Sequence, residues 1–303
     1  MRNRMDHTQP LVSIGIPTYN RGSLLHRSID SALNQDFENI EIVISDNAST
    51  DETPQVCLSY AAKDRRIKYI RQPTNLGPTT NFNEVLKHAS GVFFMWLGDD
   101  DWIDTSYVRT CVERLIDDPT LSLIAGVPKY YRDGREADVG QVMCLTQNQW
   151  YWRVISYYTQ VADNGIFYGM MRSADLRDIM LRNTMGGDWL LVASVLSRGK
   201  AKTTTGTSLH RDIGGLTSSY QRIAVSLGLR RRQAAFPMLS VASAAWLDLV
   251  RDGAVYHKHR RLTRLLIGSA VFVAVALKPL EFKLCHAKVR FSMVMGRFLR
   301  VRS

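Results

Sequence analysis

The apolar positions of the first hundred residues fall into short β-branched runs separated by stretches with helical spacing. Leu11 to Ile16 reads LVSIGI and stops at Pro17, which suits a strand buried on both faces of a sheet. Ser23 to Leu33 then places Leu24, Leu25, Ile29 and Leu33 on one helical face. Ile40 to Ser45 (IEIVIS) is the next strand, and Ser49-Thr50-Asp51-Glu52 carries the acidic and hydroxyl residues that start helices. A helix over Pro54–Ala62, a strand over Ile67–Arg71, a helix over Thr80–Ala89 and a strand over Val92–Leu97 follow. Strand and helix alternate about every 25 residues, the rhythm of right-handed βαβ crossovers and a mainly parallel α/β sheet.

Beyond Trp102 the rhythm loosens. Ser106–Ile116 reads as a helix, Ser122–Val127 as a strand and Lys129–Gly140 as a polar loop. Gln149–Tyr158 is rich in aromatic residues, and Gly165–Met171 is a predicted strand. Ala174–Leu181 and Trp189–Ser197 read as helices, and Lys202–Leu209 is a Thr-rich strand. A boundary is predicted between Gly214 and Arg222.

Charge changes the picture at that boundary. The net charge is +11, yet the first 221 residues hold 23 Lys/Arg against 25 Asp/Glu, whereas Arg222 onward holds 16 against 3. A near-neutral body with a basic C-terminal region points to a polyanionic surface, nucleic acid or an anionic membrane. In the tail, Lys283, His286, Arg290, Arg297 and Arg300 follow one helical face, with Leu284, Val289, Met293, Val294 and Phe298 around it. Such a helix suits an anionic membrane interface; the bland alternative is a tail packed on the body with solvated charges. Leu265 to Leu277 is a charge-free run of 13 residues, below the roughly 20 needed to span a bilayer, and could form an apolar hairpin or re-entrant segment. The N-terminus, Met1 to Pro10, is polar, so no signal peptide is expected. Cys57, Cys111, Cys144 and Cys285 show no metal-type spacing and read as reduced, buried residues of a cytosolic protein.

The candidate chemistry gathers where the strands end. In open parallel sheets ligands bind beyond the carboxyl ends of the strands, and four polar loops lie there: Pro17–Arg21, Asp46–Asp51, Asn75–Asn83 and Gly98–Asp101. Asp99, Asp100 and Asp101 repel one another unless a cation sits among them, and Mg²⁺ or Mn²⁺ takes oxygen ligands from one or two carboxylates plus substrate phosphates. The alternative is an acidic surface loop with Asp104 or Thr105 capping the next helix. Asp46 could accept N–H groups of a base or bond its own turn. Tyr19 could lie on a base ring or cover the sheet edge, and Arg21 could meet a phosphate or water. Asp188, after Gly186-Gly187, is either a helix-start carboxylate or a general base. His210-Arg211 could contact a diphosphate or be structural.

VSIGIPTYNR, IEIVISDNASTDET, NLGPTTNFN and FMWLGDDDW, in this order and spacing, resemble the family 2 glycosyltransferases of the GT-A fold. The match runs from Leu11 to about Thr217. The resemblance implies a Rossmann-like sheet flanked by helices, with a GT-A domain over 1–217 (nucleotide-binding half 1–104, acceptor half 105–217) and a basic helical region over 218–303. It implies a nucleotide pocket lined by Pro17, Thr18, Tyr19, Arg21 and Asn75, a nucleobase contact at Asp46, and a metal at Asp100 supported by Asp99, whose other expected role is a ribose contact. Asp51 would mainly cap its helix. Asp188 would be the catalytic base, and His210 and Arg211 would meet the diphosphate. Three departures stand out: Gly98 where many members have an Asp, Phe82 where an Arg is common, and Gly187 where a Glu usually precedes the base. The spellings SDNASTD, LGDDD and NGIFYGMMR look most like the O-antigen branch of abequosyl- and rhamnosyltransferases.

The expectation is an inverting transferase using Mg²⁺ or Mn²⁺, a nucleotide-sugar donor and a glycan or lipid-linked acceptor. It would sit on the cytoplasmic face of the plasma membrane through the basic region and bind no nucleic acid. The rivals are a metal-dependent sugar nucleotidyltransferase, for which PTYNRGS is a poor Gly-rich loop, a nucleic-acid-binding protein, and a non-catalytic nucleotide-sugar or membrane-binding module.

Overall fold

The computed structural model describes residues 9–213 and 220–278. Its first half is a βα alternation: β1 (Val12–Thr18), α1 (Gly22–Leu33), β2 (Ile40–Asp46), α2 (Thr53–Lys63), β3 (Ile67–Arg71), α3 (Pro78–Lys87) and β4 (Phe93–Trp96). β1 pairs in parallel with both β2 and β4, and β2 in parallel with β3. The order β3-β2-β1-β4 therefore puts the carboxyl ends of all four strands on one edge.

The second half is less regular. It runs β5 (Trp102–Ile103), α4 (Tyr107–Asp117), β6 (Leu121–Arg132), β7 (Arg135–Val139), β8 (Cys144–Leu145), α5 (Trp150–Gln160), a 3₁₀ turn (Gly165–Tyr168), β9 (Met170–Arg172), α6 (Ser173–Leu176), α7 (Gly187–Arg198) and β10 (Lys200–Asp212). The sheet continues β4-β9-β6-β10-β5, and β9 is antiparallel to both β4 and β6. Only β6 and β10 are parallel here, so the sheet is mixed, not mainly parallel throughout. The reversal at β9 comes from the 3₁₀ turn, which occupies most of the predicted Gly165–Met171 strand and leaves only Met170–Arg172 extended. The predicted Lys129–Gly140 loop is instead a hairpin of β6 and β7, closed by Asp133 (φ 52°) and Gly134 (φ 75°). An Asp-Gly pair with two positive φ angles is the favoured two-residue hairpin turn. The helix predicted over Ala174–Leu181 is a single turn, α6.

Two apolar layers sandwich the sheet. Ile14, Ile16, Ile42 and Ile44 pack with Leu25, Ile29 and Ala32 of α1 and with Val108, Cys111 and Leu115 of α4. On α1 the buried face is Leu25, Ser28, Ile29 and Ala32, while Leu24 turns outward. The opposite layer joins Val43, Phe94 and Trp96 to Tyr157, Tyr158 and the apolar run Leu190–Ala193, Val195 and Leu196 of α7.

That second layer runs on into the C-terminal helices: α8 (Tyr220–Ser226), α9 (Arg231–Ala235), α10 (Pro237–Leu247), a π-helical turn (Asp248–Asp252), a 3₁₀ turn (Ala254–Tyr256) and α11 (261–278). Val241, Ala245, Leu249, Tyr256, Ile267, Val271 and Val275 belong to the same apolar cluster as α7. Leu265 to Leu277 is thus one continuous stretch of helix, not a hairpin, with one face packed against the body. Among the described residues no helix is long and apolar enough to cross a membrane. The basic amphipathic tail and Cys285 lie outside the described residues. Cys57 and Cys111 are buried as expected, but Cys144 is exposed.

Candidate active site

The acidic loop follows β4 directly and is held from behind by α1. The Ser28 hydroxyl lies 2.7 Å from the Gly98 carbonyl and 2.6 Å from that of Asp101. Arg27 donates to the Asp100 carbonyl, stacks 3.8 Å above the Trp102 ring and pairs with Asp212 at 2.6 Å. Backbone carbonyls that would otherwise face a buried edge are thereby satisfied. Neither Arg27 nor Ser28 was expected at the site. Their only sequence signal is a Ser on the apolar face of α1, which an amphipathic pattern reads as filler.

The three carboxylates have different fates. Asp101 is 2% exposed and pairs with Arg211 Nε at 3.0 Å. Burial drives its carboxyl up to about 6, with the Arg211 charge opposing and the Asp100 charge adding to the rise. Asp99 is pushed further, to about 7, first by burial and then by the charge of Asp100. The Thr18 hydroxyl and Arg21 act in the opposite direction, so the first loop and the acidic loop meet at Asp99. Asp99 and Asp100 are half-buried and face no pairing cation among the ion pairs of the described residues.

The same geometry accounts for Gly98. A Cβ there would lie 2.6 Å from Asp101 Oδ2 and 3.3 Å from Asp100 Oδ1. Because Asp101 folds back over position 98 to reach Arg211, a side chain there would have to displace the Asp101 carboxylate.

Asp46 ends β2 with no exposed surface, and both its oxygens are engaged: Oδ1 accepts the Ser49 N–H at 2.8 Å and Oδ2 the Tyr69 hydroxyl at 2.9 Å. Arg71 Nε stands 3.6 Å from Oδ2. Asn47 and Asn75 join the second and third loops at 2.8 Å, and Asn75 also accepts the Gly77 N–H. Asn81, not singled out in the sequence, donates to the Thr18 and Ser45 carbonyls and accepts the Ser45 hydroxyl, fastening the ends of β1 and β2 together. Pro17 is buried at the end of β1 and Tyr19 is 42% exposed beside it. Asp51 accepts N–H groups from both Gly22 and Thr53, so it ties the starts of α1 and α2.

Asp188 stands in the first turn of α7, half-buried. Burial raises its carboxyl above the ordinary range, while the Asn164 amide, the backbone N–H groups of Asp188 and Trp189, and Arg211 oppose the rise. The loop before it is pinned to the nucleotide half: Asn83 exchanges two 2.9 Å bonds with the Leu181 backbone, and Thr79 bonds Asn183 at 3.1 Å. At Gly187 a Cβ would collide with the Arg182 carbonyl, so the backbone here admits only glycine without a shift.

Arg211 and Tyr168 connect the two acidic centres. The guanidinium lies 4.4 Å from the Tyr168 ring centre, and Tyr168 senses the charges of Arg211, Asp101, Asp100 and Asp188 together. His210 is differently employed. Its Nε2 is 2.7 Å from Asp104, its Nδ1 is 3.0 Å from the Tyr131 hydroxyl, and its ring stacks on Trp102 at 5.1 Å. Both ring nitrogens are therefore occupied in structural bonds.

The architecture is matched by a family model. Residues 13–177, more than half the chain, fit the model described as glycosyl transferase family 2. The chain belongs to this family. A glycosyltransferase GlyA of Streptococcus pneumoniae is 28% identical over 178 residues, 58% of this chain and 24% of that protein. A GalNAc(5)-diNAcBac-PP-undecaprenol beta-1,3-glucosyltransferase of Campylobacter jejuni is 40% identical over 106 residues, 35% of this chain and 34% of that one. The matches thus span a quarter to a third of those relatives' lengths. Among solved structures, S. aureus TarS residues 1–349 in complex with UDP-GlcNAc aligns over 88% of this chain and 81% of its own, with TM-score 0.56 and 21% identity. The mannosyltransferase PcManGT of Pyrobaculum calidifontis, in complex with GDP-Man and Mn²⁺, aligns over 93% and 81%, with TM-score 0.57 and 18% identity. At these identities the likeness establishes the GT-A-like fold.

Proposed function

We propose that this family 2 member transfers a sugar from a nucleotide-diphosphate sugar to a hydroxyl of a glycan or lipid-linked saccharide, with inversion at the anomeric carbon. The observation that carries the reading is that Asp100, in the loop after β4, and Asp188, at the start of α7, both act on Tyr168, whose ring lies 4.4 Å from the Arg211 guanidinium, with Asp99 beside Asp100 in the same loop. The first, second and third loops would take the nucleotide, with Tyr19, Thr18, Arg21 and Asn75 at its rim and Pro17 shaping the first loop. Asp46 is wholly buried, so its contact with a base would need the side chains over it to move aside.

The residues present fit a divalent cation. Among the described residues no group of three or more His, Cys, Asp or Glu gathers as a metal site. Two half-buried carboxylates, one of them reluctant to ionise beside the other, are nonetheless the set a hard cation uses when donor phosphates and water complete its shell. Mg²⁺ or Mn²⁺ held by Asp100 and Asp99 would neutralise charge on the departing diphosphate. Arg211 lies beside the same loop but is committed to Asp101, so its expected contribution is to fix that loop and lend positive potential. Asp188 takes the proton of the acceptor hydroxyl. The freed oxygen attacks the anomeric carbon, the bond to the diphosphate oxygen breaks, and the nucleoside diphosphate leaves.

The acceptor is proposed to be presented at the cytoplasmic face of the plasma membrane, in surface-polysaccharide synthesis of O-antigen type. The Campylobacter relative's name describes a lipid-diphosphate acceptor. α11 supports a membrane contact: Leu262, Leu266, Val273 and Leu277 are 67%, 64%, 55% and 47% exposed, and Arg260 and Arg261 are exposed at its start. Lys278 at its far end donates to the Thr159 and Val161 carbonyls and lies 5.5 Å from the ring of Trp189, the neighbour of Asp188.

A screen of nucleotide sugars with Mn²⁺, reading released nucleoside diphosphate, tests the reaction class. Asp188→Asn is expected to abolish transfer while donor binding persists. Release of pyrophosphate would instead identify a nucleotidyltransferase.

A further inference from the structure

Asn164 lies between α5 and the 3₁₀ turn, 4% exposed and in the left-handed region at φ 50°. Both ends of its carboxamide are engaged: Nδ2 donates to Asp188 Oδ2 at 2.6 Å, and Oδ1 accepts the Tyr157 hydroxyl at 2.7 Å. The direction of this chain is set by chemistry. An ionised carboxylate only accepts, so the amide must turn its NH₂ toward Asp188 and its oxygen toward the phenol. Burial holds the Tyr157 phenol well above its ordinary ionisation range, so it remains a donor. A positive φ in a residue with a Cβ is tolerated mainly by Asn and Asp and marks a position where the surroundings dictate the backbone.

We propose that Asn164, aimed by Tyr157, is a positioning residue that holds the Asp188 carboxylate as the proton acceptor for the incoming hydroxyl. The inference rests on the reading of Asp188 as the base. The titratable and charged groups that couple electrostatically to Asp188 are Tyr157 and Tyr158 on α5, Tyr168 on the 3₁₀ turn and Arg211 on β10. Of the bonds that keep Asp188 charged against its burial, the one from Asn164 is first. Removing it therefore moves the ionisation of Asp188 to higher pH.

The test compares pH profiles of transfer for the full chain and two variants, with the donor found by the screen. Asn164→Gly keeps the left-handed backbone at no steric cost but deletes the carboxamide. Tyr157→Phe leaves Asn164 in place but removes its orienting donor. The acidic limb of kcat/KM is expected to move up by about one pH unit in Asn164→Gly and less in Tyr157→Phe. Donor KM stays within about twofold, and the rate of Asn164→Gly recovers at high pH. A merely structural Asn would lower the rate equally at all pH values. If Asp188→Asn is inactive and both variants keep the wild-type limb, the role of Asn164 is refuted while the base stands. If Asp188→Asn still transfers sugar, the base reading itself falls.

Discussion

Arg211 Nε and Asp101 Oδ2 are joined by a 3.0 Å ion pair behind the acidic loop, both side chains nearly inaccessible at 15% and 3% exposure. The pair removes one carboxylate from the loop's chemistry and leaves Asp99 and Asp100 facing the strand ends. Breaking a buried pair by deleting one partner leaves a charge without compensation, which costs roughly 3–5 kcal/mol. Arg211→Ala is therefore expected to lower unfolding free energy by about that range at pH 7.5, measured by urea denaturation. The loss is expected to shrink at pH 5, where Asp101, which ionises at about 6, is already protonated. An equal loss at both pH values would count against this account.

Gly98 is expected to resist replacement by Asp. A Cβ 2.6 Å from Asp101 Oδ2 displaces that carboxylate from Arg211. Gly98→Asp should lower turnover by at least about tenfold, in line with the cost of misplacing catalytic groups. Turnover equal to or above that of the unaltered chain would show that the loop accommodates the side chain.

Metal dependence carries its own signature. Asp99 ionises only at about 7 in the absence of a cation, and a coordinating carboxylate must be deprotonated. Titration of Mn²⁺ by calorimetry in two buffers of different ionisation heat should show proton release at pH 6.5 that fades by pH 8.5. Affinity should rise over the same interval. EDTA should abolish nucleoside diphosphate release and added Mn²⁺ restore it; activity undiminished by EDTA would remove the cation from the reaction.

Asp248, 2% exposed, is raised to about 6 by burial despite its 2.9 Å pair with Arg182. Its folded form holds a proton that the unfolded chain releases near pH 4. The folded state is thus favoured most below pH 4, and this contribution fades as pH rises through 6, by up to about 3 kcal/mol. Asp248→Asn should flatten the fall in stability between pH 4 and pH 6.5 in urea melts. A slope unchanged by the substitution would assign it to other groups.

The outward stripe of α11 predicts a surface effect without a folding effect. Leu262→Glu with Leu266→Glu adds charge at exposed positions, so melting should barely change. Flotation with phosphatidylglycerol-containing liposomes should fall at least about fivefold, because both buried apolar area and net positive charge decline. Liposome binding that survives both changes would place the membrane contact elsewhere in the chain.

Much of the nucleotide half was legible from pattern alone. β1, β2 and β3 lie within one or two residues of their predicted bounds; β1 and β2, buried on both faces, are largely apolar and end where polar loops begin, whereas β3 is a half-exposed edge strand. The acidic loop at the end of β4 was equally visible. Legibility fell in the acceptor half. Gly165–Tyr168 is as apolar as a strand, and only its packing against β6, Phe82 and Trp96 selects the 3₁₀ turn. The Asp133-Gly134 turn was present as a dipeptide but masked by the charged residues of β7, which is exposed along its whole length.

The chain's own sequence determined that a parallel βα half exists, that its polar loops share one edge, and that carboxylates stand at that edge and at the start of α7. These follow from periodicity and residue type, which are local. Tertiary structure alone decided how the carboxylates divide the work. Asp101 is paired because β10 brings Arg211 behind the loop from 110 positions away along the chain. His210 is spent on Asp104 and Tyr131, and Asp188 is aimed by an Asn164 that no motif marks. Charge pairing and hydrogen bonding act over a few ångströms in space, and the residues that meet at this site are separated along the chain by loops and whole strands.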